Sequence, residues 1–348
     1  MSTKLTACYF GIYKPKWARD TVLLNGLSEH GVETIYCTDS AKGFRKFPNL
    51  IKKHRKLRDK YDFILVGYLS NIVVPLARII SRKKVVYNAL TSMYEGSVLD
   101  RGKFSIFSPM RYAIWIMDFL AFHSAHIVLV ETEEQLKFIS KMFFVPKRKL
   151  LQTWIGALND SFHPDSGIKK RDKFTVVFRG WFLPATGMEH VLEAAKKLPD
   201  VQFLLIGRGM LKGLVKDEIK DLSNVELITE FVSDDVLREK MLSSHVMLGQ
   251  FGSHPRMDRT VQNKTFEALA LGMPYITRDS KSNRELLTNG LNCLYATKDK
   301  GDLVSKILKL KGDEYLRNKL AENARKLHVE ILTEKKIAEK VLGSLSPN

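Results

Sequence analysis

Cysteine is scarce in this chain of 348 residues, and its three copies, Cys8, Cys37 and Cys293, lie far apart in the sequence. Their number and spacing exclude a disulfide framework and a cysteine-based metal site, and favour a reducing cytosol. Long apolar runs are absent too. The longest, residues 112–122, is about half as long as a membrane-spanning helix, and residues 1–13 lack the plan of a signal peptide. We therefore expect a cytoplasmic protein that does not cross a bilayer.

Acidic residues are outnumbered, because 38 Asp and Glu stand against 56 Lys and Arg, and the formal net charge is +18. A positive field of this size favours anionic partners, which include nucleotides, nucleic acids and acidic membrane surfaces. The sequence contains no helix-turn-helix, RNP or zinc-finger pattern, so we expect no nucleic acid partner. It also lacks the GxxxxGK[ST] loop, which excludes a P-loop nucleotidase.

Apolar runs typical of strands alternate with helical patterns along the chain, and the alternation restarts near residue 173. This rhythm predicts an α/β fold of two tandem doubly wound Rossmann-like domains, which we expect to face each other across a cleft. We place the first domain at residues 1–165 and the second at 166–330, with a polar linker around 157–173. Residues 331–348 then form a helix that we expect to pack back on the first domain.

The stretch RTVQNKTFEALALGMP, residues 259–274, predicts a helix that begins near Asn263 and ends at the Gly-Met-Pro sequence. Lys264 and Glu267 share one face of its first turns. Free N–H groups and the helix dipole favour an anion there, so a lysine suits a diphosphate and a carboxylate suits ribose hydroxyls. The alternative is an ordinary surface ion pair.

Two further turns follow predicted strands. Arg179 and Gly180 end the strand in FRGWF, where a guanidinium suits phosphate oxygens and a glycine lets a ligand approach the backbone. A tight turn with a solvated arginine explains the same residues equally well. Gly207 begins a Gly-x-Gly sequence that is a weak dinucleotide signal, and we interpret it as a turn whose backbone lies near a base or ribose.

Three blocks of the second half carry the most specific pattern: FRGWFLPATGMEHVLEAAKKLPDVQFLLIGRG, TEFVSDDVLREKMLSSHVMLGQF and NKTFEALALGMPYITRDSKSNRELLTNGLNCLYA. Their order and spacing resemble the nucleotide-sugar domain of family-4-type retaining glycosyltransferases of the GT-B fold. The first half resembles a bacterial branch of this group through YFGIYKPKWARDTVLLNGLSEHGVE and ALTSMYEGSVLDRGKF. The resemblance implies transfer of a sugar from a nucleotide-diphosphate donor to an acceptor hydroxyl, with retention and without a required metal or cofactor.

The resemblance also implies roles for single residues. Glu267 matches the second glutamate of the family's E-x7-E motif, which holds the donor ribose, whereas Arg259 stands in the place of the first. Lys264, Arg259 and Arg179 are our candidates to neutralise the diphosphate, with Glu267, Arg259 and Lys264 as the catalytic set. Two further sets are assigned in the same way. The donor side includes Gly11, Gly180, Gly207, Glu230, Phe231 and Val232, and the acceptor side includes Arg19, Asp100 and Arg101.

The acceptor implied by this branch is a cell-surface glycan or a lipid-linked one. The basic run at residues 44–61 contains five apolar side chains and predicts either a helix on the inner face of an anionic membrane or a solvated helix face. Residues 104–123 predict an ordinary core helix, with an amphipathic membrane helix as the alternative. Two other functions stay open: a nucleotide-sugar 2-epimerase on the same scaffold, and a catalytically silent, membrane-associated partner of another transferase.

Overall fold

The computed structural model describes residues 5–345. Their contacts divide the chain into two compact units. One consists of residues 5–156 and 333–345, and the other of residues 157–332. Each unit contains one six-stranded sheet in which neighbouring strands are parallel.

The sheet of the first unit has the strand order β2-β1-β3-β4-β5-β6. Its strands are β1 (Thr6–Gly11), β2 (Glu33–Thr38), β3 (Phe63–Val66), β4 (Lys84–Leu90), β5 (Ile127–Val130) and β6 (Leu150–Gln152). The helices between them are α1 (Ala18–Glu29), α2 (Lys46–Arg55), α3 (Val74–Ile80), α4 (Pro109–Ser124) and α5 (Glu133–Phe143). The direction of winding reverses between β1 and β3, so the carboxyl ends of these two strands mark the switch point of this unit.

The sheet of the second unit has the strand order β12-β11-β10-β7-β8-β9. Its strands are β7 (Thr175–Trp181), β8 (Gln202–Arg208), β9 (Val225–Ile228), β10 (Val246–Leu248), β11 (Tyr275–Arg278) and β12 (Leu294–Ala296). Its helices are α6 (Met188–Lys197), α7 (Lys212–Glu218), α8 (Asp234–Leu242), α9 (Asn263–Leu271), α10 (Lys281–Arg284), α11 (Lys300–Gly312) and α12 (Glu314–Leu327). This is the Rossmann order, with its switch point between β7 and β10.

The central strands are apolar along almost their whole length, as FILV in β3 and IVLV in β5 show. Strands of this kind are buried on both faces, and parallel crossovers place helices on those faces. The large buried side chains of the two sheets include Tyr9, Phe10, Phe178 and Phe203. The predicted fold class, two doubly wound α/β domains in tandem, is confirmed.

After α12 the chain returns to the first unit through α13 (Glu334–Leu345), which packs on α1. The contact is close because α1 contains Gly26: a Cβ at this position would lie 1.9 Å from the carbonyl oxygen of Glu334. The Nδ2 of Asn25 donates to Oε1 of Glu334 at 2.9 Å, and the Nζ of Lys340 donates to Oε1 of Gln152 at 2.7 Å. The last helix therefore forms part of the first unit's packing.

Helices α2 and α4 differ in the side chains that they expose to solvent. In α2, Leu50 and His54 are buried against the core, and the apolar side chain exposed beside this helix is Phe44. In α4, Ile114, Asp118 and Phe122 face inward, whereas other large apolar side chains face outward. The inward side of α4 therefore agrees with the expectation of an ordinary core helix at residues 104–123, but its outward side does not. Within residues 5–345, no helix has the length and apolar character to span a membrane.

Candidate active site

The candidate site of the second unit lies at its switch point, where β7 supplies Arg179 and Gly180 and the chain after β10 leads into α9. The helix begins at Asn263, as predicted, and the preceding Gln262 makes no side-chain cap. Because parallel strands present their carboxyl ends at one edge of the sheet, β7 and the start of α9 converge there.

Glu267 forms an ion pair with Arg179, with 2.6 Å between Oε1 and Nη2. The glutamate side chain is 5% exposed and the arginine 28%. Burial raises the pKa of Glu267, and the nearby Arg179 and Lys264 charges counteract that rise. The alternative of a surface Lys–Glu pair is wrong, because both residues of that pair are buried and Glu267 pairs with a strand residue instead.

The Nζ of Lys264 lies 3.7 Å from the centre of the Phe178 ring and close to Gly180, where a Cβ would be 3.0 Å away. Burial, together with the charge of Arg179, lowers the pKa of this lysine well below its ordinary value, while Glu267 opposes the shift. Within residues 5–345, Nζ of Lys264 and Oε2 of Glu267 have no hydrogen-bond partner in the protein. Buried polar atoms almost always have partners, so this pair calls for a ligand that supplies them.

A cavity of about 180 Å³ opens beside these residues. Six residues predicted from the sequence line it: Arg179, Gly180, Gly207, Glu230, Phe231 and Val232. Trp181 and Arg208 line it as well, with the guanidinium carbon of Arg208 5.4 Å from the Trp181 ring centre. Aromatic faces next to convergent polar groups are typical of sites for flat ligands such as nucleobases.

Close packing explains why Gly207 is a glycine, because a Cβ there would lie 1.9 Å from the carbonyl oxygen of Gly180 on the neighbouring strand.

The side chain of Glu230, which also lines the cavity, is hydrogen-bonded to Thr229. Its carboxylate accepts from the hydroxyl of Thr229 at 2.9 Å and from the backbone N–H of Thr229 at 3.2 Å. These hydrogen bonds lower the pKa of Glu230, so a carboxylate stands at the mouth of the cavity.

Arg259 lies just before α9, half-buried, at the end of a short 3₁₀ turn, Pro255–Asp258. The neighbouring Asp258 accepts from Nη2 of Arg278 at 3.1 Å, and Nη1 of Arg278 donates to the carbonyl oxygen of Gly252 at 2.6 Å. Sequence reasoning missed Arg278, whose position at the end of β11 was the available signal. Asp258 is therefore held by a buried cation of its own unit.

The remaining predicted residues belong to the first unit. Gly11 ends β1 beside Ser70, whose Oγ would be 2.9 Å from a Cβ on the glycine and accepts from the N–H of Ile12 at 3.1 Å. Asp100 ends a π-helical turn and Arg101 after it is exposed. The roles of these residues stay predictions.

Arg19 is buried, and its guanidinium donates at 2.6–2.9 Å to oxygens of Asn88, Thr153 and Trp154 within its own unit. Burial lowers its pKa to about 10. These bonds join α1 to β4 and to the segment after β6. A contact between Arg19 and the acceptor stays a prediction. The guanidinium of Arg19 already forms four hydrogen bonds within the first unit.

Across the described part of the chain, no three His, Cys, Asp or Glu side chains group in a way that would hold a metal ion. The three cysteines are free thiols in buried positions.

A Rossmann-type unit with buried cations and an unsatisfied carboxylate at its switch point is an arrangement typical of nucleotide-binding proteins. The comparisons refine this class. Residues 159–327, nearly all of the second unit, match the family model described as glycosyl transferases group 1. The second unit is therefore similar to the group 1 glycosyltransferases.

Known relatives agree with this assignment. An uncharacterized glycosyltransferase of Methanocaldococcus jannaschii is 29% identical over 162 residues, which are 46% of this chain and 44% of that protein. The match thus spans less than half of the relative's length. Among solved structures, Alr3699/HepE of Anabaena in complex with UDP has a TM-score of 0.73 at 16% identity, covering 99% of each chain. Sucrose-phosphate synthase of Thermosynechococcus elongatus has a TM-score of 0.73 at 15% identity, covering 98% of each chain. These likenesses show the two-unit GT-B fold.

Proposed function

We propose that this protein transfers a sugar from a nucleoside-diphosphate sugar to an acceptor hydroxyl. The observation that carries the proposal is the buried pair of unpartnered atoms, Nζ of Lys264 and Oε2 of Glu267, beside the cavity at the switch point. A diphosphate supplies the acceptor that Nζ lacks, and a ribose hydroxyl supplies the donor that Oε2 lacks. The solved Anabaena structure with UDP-glucose supports a nucleotide-sugar donor by analogy of fold.

In the proposed reaction, the bond from the anomeric carbon to the diphosphate oxygen breaks, and a bond to the acceptor oxygen forms on the same face of the sugar. The acceptor's proton passes to an oxygen of the leaving diphosphate. Negative charge grows on that group in the transition state, so fixed cations lower the barrier. We assign this role to Lys264, Arg179 and Arg259; the burial of Lys264 and the ion pair of Arg179 with Glu267 support the assignment of the first two. No protein carboxylate is required as a nucleophile, and we propose that no metal is required.

The base end of the donor belongs, in this proposal, to the cavity walls formed by Glu230, Phe231 and Val232, with Trp181 opposite them along β7. Phe231 is 82% exposed and Trp181 59% exposed. Aromatic side chains left this open gain most from a flat ligand that covers them.

For the acceptor, we propose a glycan of cell-surface or lipid-linked type, used at the cytoplasmic face of a membrane. The resemblance of the first half of the chain to a bacterial branch with such acceptors supports this choice, and so does the excess of Lys and Arg over Asp and Glu. Retention at the anomeric carbon belongs to the same proposal. An anomeric-configuration assay on the isolated product tests it directly.

The deciding experiment is a thermal-shift screen of the full chain against nucleoside diphosphates and their sugars, followed by transfer assays with the donors that stabilise it, with and without EDTA. Ligands that bind only the folded state raise the melting temperature. Transfer or slow hydrolysis of a stabilising donor supports the proposal. Interconversion of the nucleotide sugar without an acceptor would show an epimerase instead, and binding without any turnover would show a silent partner.

A further inference from the structure

Helix α4 carries an apolar face that points to solvent. Tyr112, Ile116 and Leu120 are 55%, 51% and 49% exposed and recur every four residues, which places them along one side of the helix. The opposite side packs inward through Ile114 and Asp118. Single exposed apolar residues are common on proteins, but a continuous row on a 16-residue helix marks an interaction surface.

The chain before α4 extends this row. Phe107 is 90% exposed and Ile106 is 62% exposed, and Met110 in the first turn of α4 is 53% exposed. The hydroxyl of Tyr112 donates to the carbonyl oxygen of Ile106 at 2.9 Å, so the loop is tied to the helix. We call the six exposed large apolar side chains of α4 and of the loop before it the α4 face: Ile106, Phe107, Met110, Tyr112, Ile116 and Leu120.

At the carboxyl end of α4 this face meets a cavity lined by cations. Arg78 of α3, His123 of α4, Arg148 and Lys149 line it, with a volume of about 550 Å³. The Nζ of Lys149 donates to the carbonyl oxygen of His123 at 2.6 Å, which holds this ammonium at the wall. Burial and the charges of Arg78 and Arg148 lower the pKa of Lys149, so an anion in the cavity would relieve that repulsion.

Cations predominate in three segments in or near α4. Segments 78–84, 101–124 and 147–149 contain ten Lys and Arg residues, and their one acidic residue, Asp118, is 1% exposed. Asp118 is also occupied, because Nδ2 of Asn71 and the N–H of Tyr94 donate to its carboxylate at 2.8 Å. The solvent-facing surface of these segments therefore offers cations and apolar groups and no carboxylate from within them.

We propose that the α4 face docks this protein on an anionic phospholipid bilayer. Its apolar side chains enter the headgroup boundary, and the cavity of Arg78, Arg148 and Lys149 takes a lipid phosphate. Apolar area combined with surrounding cations is the combination that binds an interfacial helix to anionic lipid. A second copy of the chain would bring the same cations toward each other, whereas a bilayer neutralises them.

This surface differs from the basic run at residues 44–61, where the inward side of α2 is buried and Phe44 is the large apolar side chain that stays exposed. Charge alone attracts α2 to anionic lipid, but the α4 face adds six apolar side chains. The inference does not depend on the proposed transferase activity. The two proposals are tested separately. The absence of vesicle binding would not contradict donor binding, and the absence of donor binding would not contradict vesicle binding.

The test is co-sedimentation of the full chain with vesicles of phosphatidylcholine alone and of phosphatidylcholine with one third phosphatidylglycerol. We expect binding to the anionic vesicles that weakens with added salt. Phe107→Ser removes the most exposed apolar group and should lower binding about tenfold. Arg78→Ser with Arg148→Ser should lower binding to the anionic vesicles about 25-fold, since each cation contributes about fivefold.

Two control variants change large apolar side chains elsewhere whose exposure is comparable with that of Phe107. Tyr315→Ser lies on α12 of the second unit, at 78% exposure, and should leave binding unchanged. Phe44→Ser, at 83% exposure, should change binding much less than Phe107→Ser. Equal losses of vesicle binding in Phe44→Ser and Phe107→Ser, or wild-type binding by Phe107→Ser, would overturn the proposal. So would the absence of vesicle binding at low salt, or a dimer in sedimentation velocity that Phe107→Ser dissolves.

Discussion

Two buried polar clusters occupy corresponding places in the two units, at the carboxyl ends of their parallel strands. In the first unit, the carboxylate of Asp20 accepts from the Tyr9 hydroxyl at 2.9 Å, from the N–H of Tyr68 at 3.0 Å and from Nδ2 of Asn88 at 2.8 Å. Arg19 next to it donates only to protein oxygens. The protein itself satisfies this cluster.

In the second unit, the cluster of Arg179, Lys264 and Glu267 is as deeply buried at its centre but is incomplete. One Glu267 oxygen binds Arg179, while the other oxygen and the Lys264 ammonium have no hydrogen-bond partner among the described residues. Burial of a polar group is costly unless it is hydrogen-bonded. The comparison separates a cluster whose hydrogen bonds support the fold from a cluster whose unfilled positions we propose for the ligand.

Breaking the completed cluster should have the largest effect. Asp20→Ala leaves three buried donors without their charged acceptor, and we expect it to lower the free energy of unfolding by about 3–5 kcal/mol. Urea denaturation followed by circular dichroism measures this loss. Glu134→Ala, which removes an exposed pair with Lys137, is the control and should leave the midpoint unchanged. A midpoint for Asp20→Ala close to wild type would remove the structural role.

Breaking the incomplete cluster should reduce function more than stability. We expect Glu267→Gln to lower kcat/KM for the donor at least about tenfold, because charge-assisted hydrogen bonds contribute roughly 1.5–3 kcal/mol each. Steady-state transfer or donor hydrolysis is the measurement, with Glu218→Gln on exposed α7 as the control. Unchanged donor use by Glu267→Gln would contradict the ribose assignment.

Lys264→Met separates ligand binding from folding within one residue. It keeps the length of the side chain but removes a buried ammonium that lacks a hydrogen-bond partner, so we expect the free protein's Tm to rise by about 2–4 °C. The same change should weaken a nucleoside diphosphate about tenfold and leave the nucleoside unaffected. Calorimetry with both ligands measures this, and Lys196→Met, an exposed lysine paired with Glu218, is the control. Equal losses for the two ligands would exclude a phosphate role.

A smaller effect should appear as pH dependence. Burial and Arg179 lower the pKa of Lys264 in the free protein, and a bound diphosphate raises it again by stabilising the charged form. Binding therefore takes up a proton once the pH exceeds the free-state pKa of Lys264, and affinity should fall as the pH rises above that pKa. Titration calorimetry in buffers of different ionisation enthalpy detects that proton, and Lys264→Met should abolish the uptake.

The same lysine predicts how stability responds to pH in the free protein. Because its pKa is lower in the folded chain than in the unfolded chain, the unfolded state binds more protons between the two values. Its contribution to the free energy of unfolding is thus smallest at low pH and grows as the pH rises toward the ordinary lysine pKa. Comparing wild type with Lys264→Met across alkaline pH isolates this contribution. We expect the difference in free energy of unfolding between wild type and Lys264→Met to shrink as the pH rises. A difference that grows would contradict the lowered pKa of Lys264.

Much of the second unit could be predicted because its signals are local. The start of α9 at Asn263 and the strand in FTVVFRGW follow from the order of neighbouring residues. Gly207, predicted in a turn, instead lies within β8 and is paired with Gly180 of β7. The partner of Glu267 could not be predicted in this way. Lys264 is three residues away and was the natural choice, whereas Arg179 is distant in sequence and reaches Glu267 only because β7 borders the switch point.

The first unit shows the opposite limit. Sequence reasoning assigned Arg19 to the acceptor side, which stays a prediction, but it did not reveal the hydrogen bonds of Arg19 to Asn88, Thr153 and Trp154. Those partners lie 69 to 135 positions away. In the same way, the apolar run at residues 104–123 fits a core helix or a surface helix, and only its neighbours show which face is covered.

The sequence by itself determined the α/β rhythm, the number of domains of this class and the helix that starts at Asn263, because strand and helix periods are written in adjacent residues. Only the tertiary structure decided which buried polar atoms are satisfied. Hydrogen bonds such as Arg19 to Thr153 and ion pairs such as Arg179 to Glu267 join residues far apart in the chain. Whether a charge supports the fold or awaits a ligand depends on those distant partners, and no local pattern specifies them.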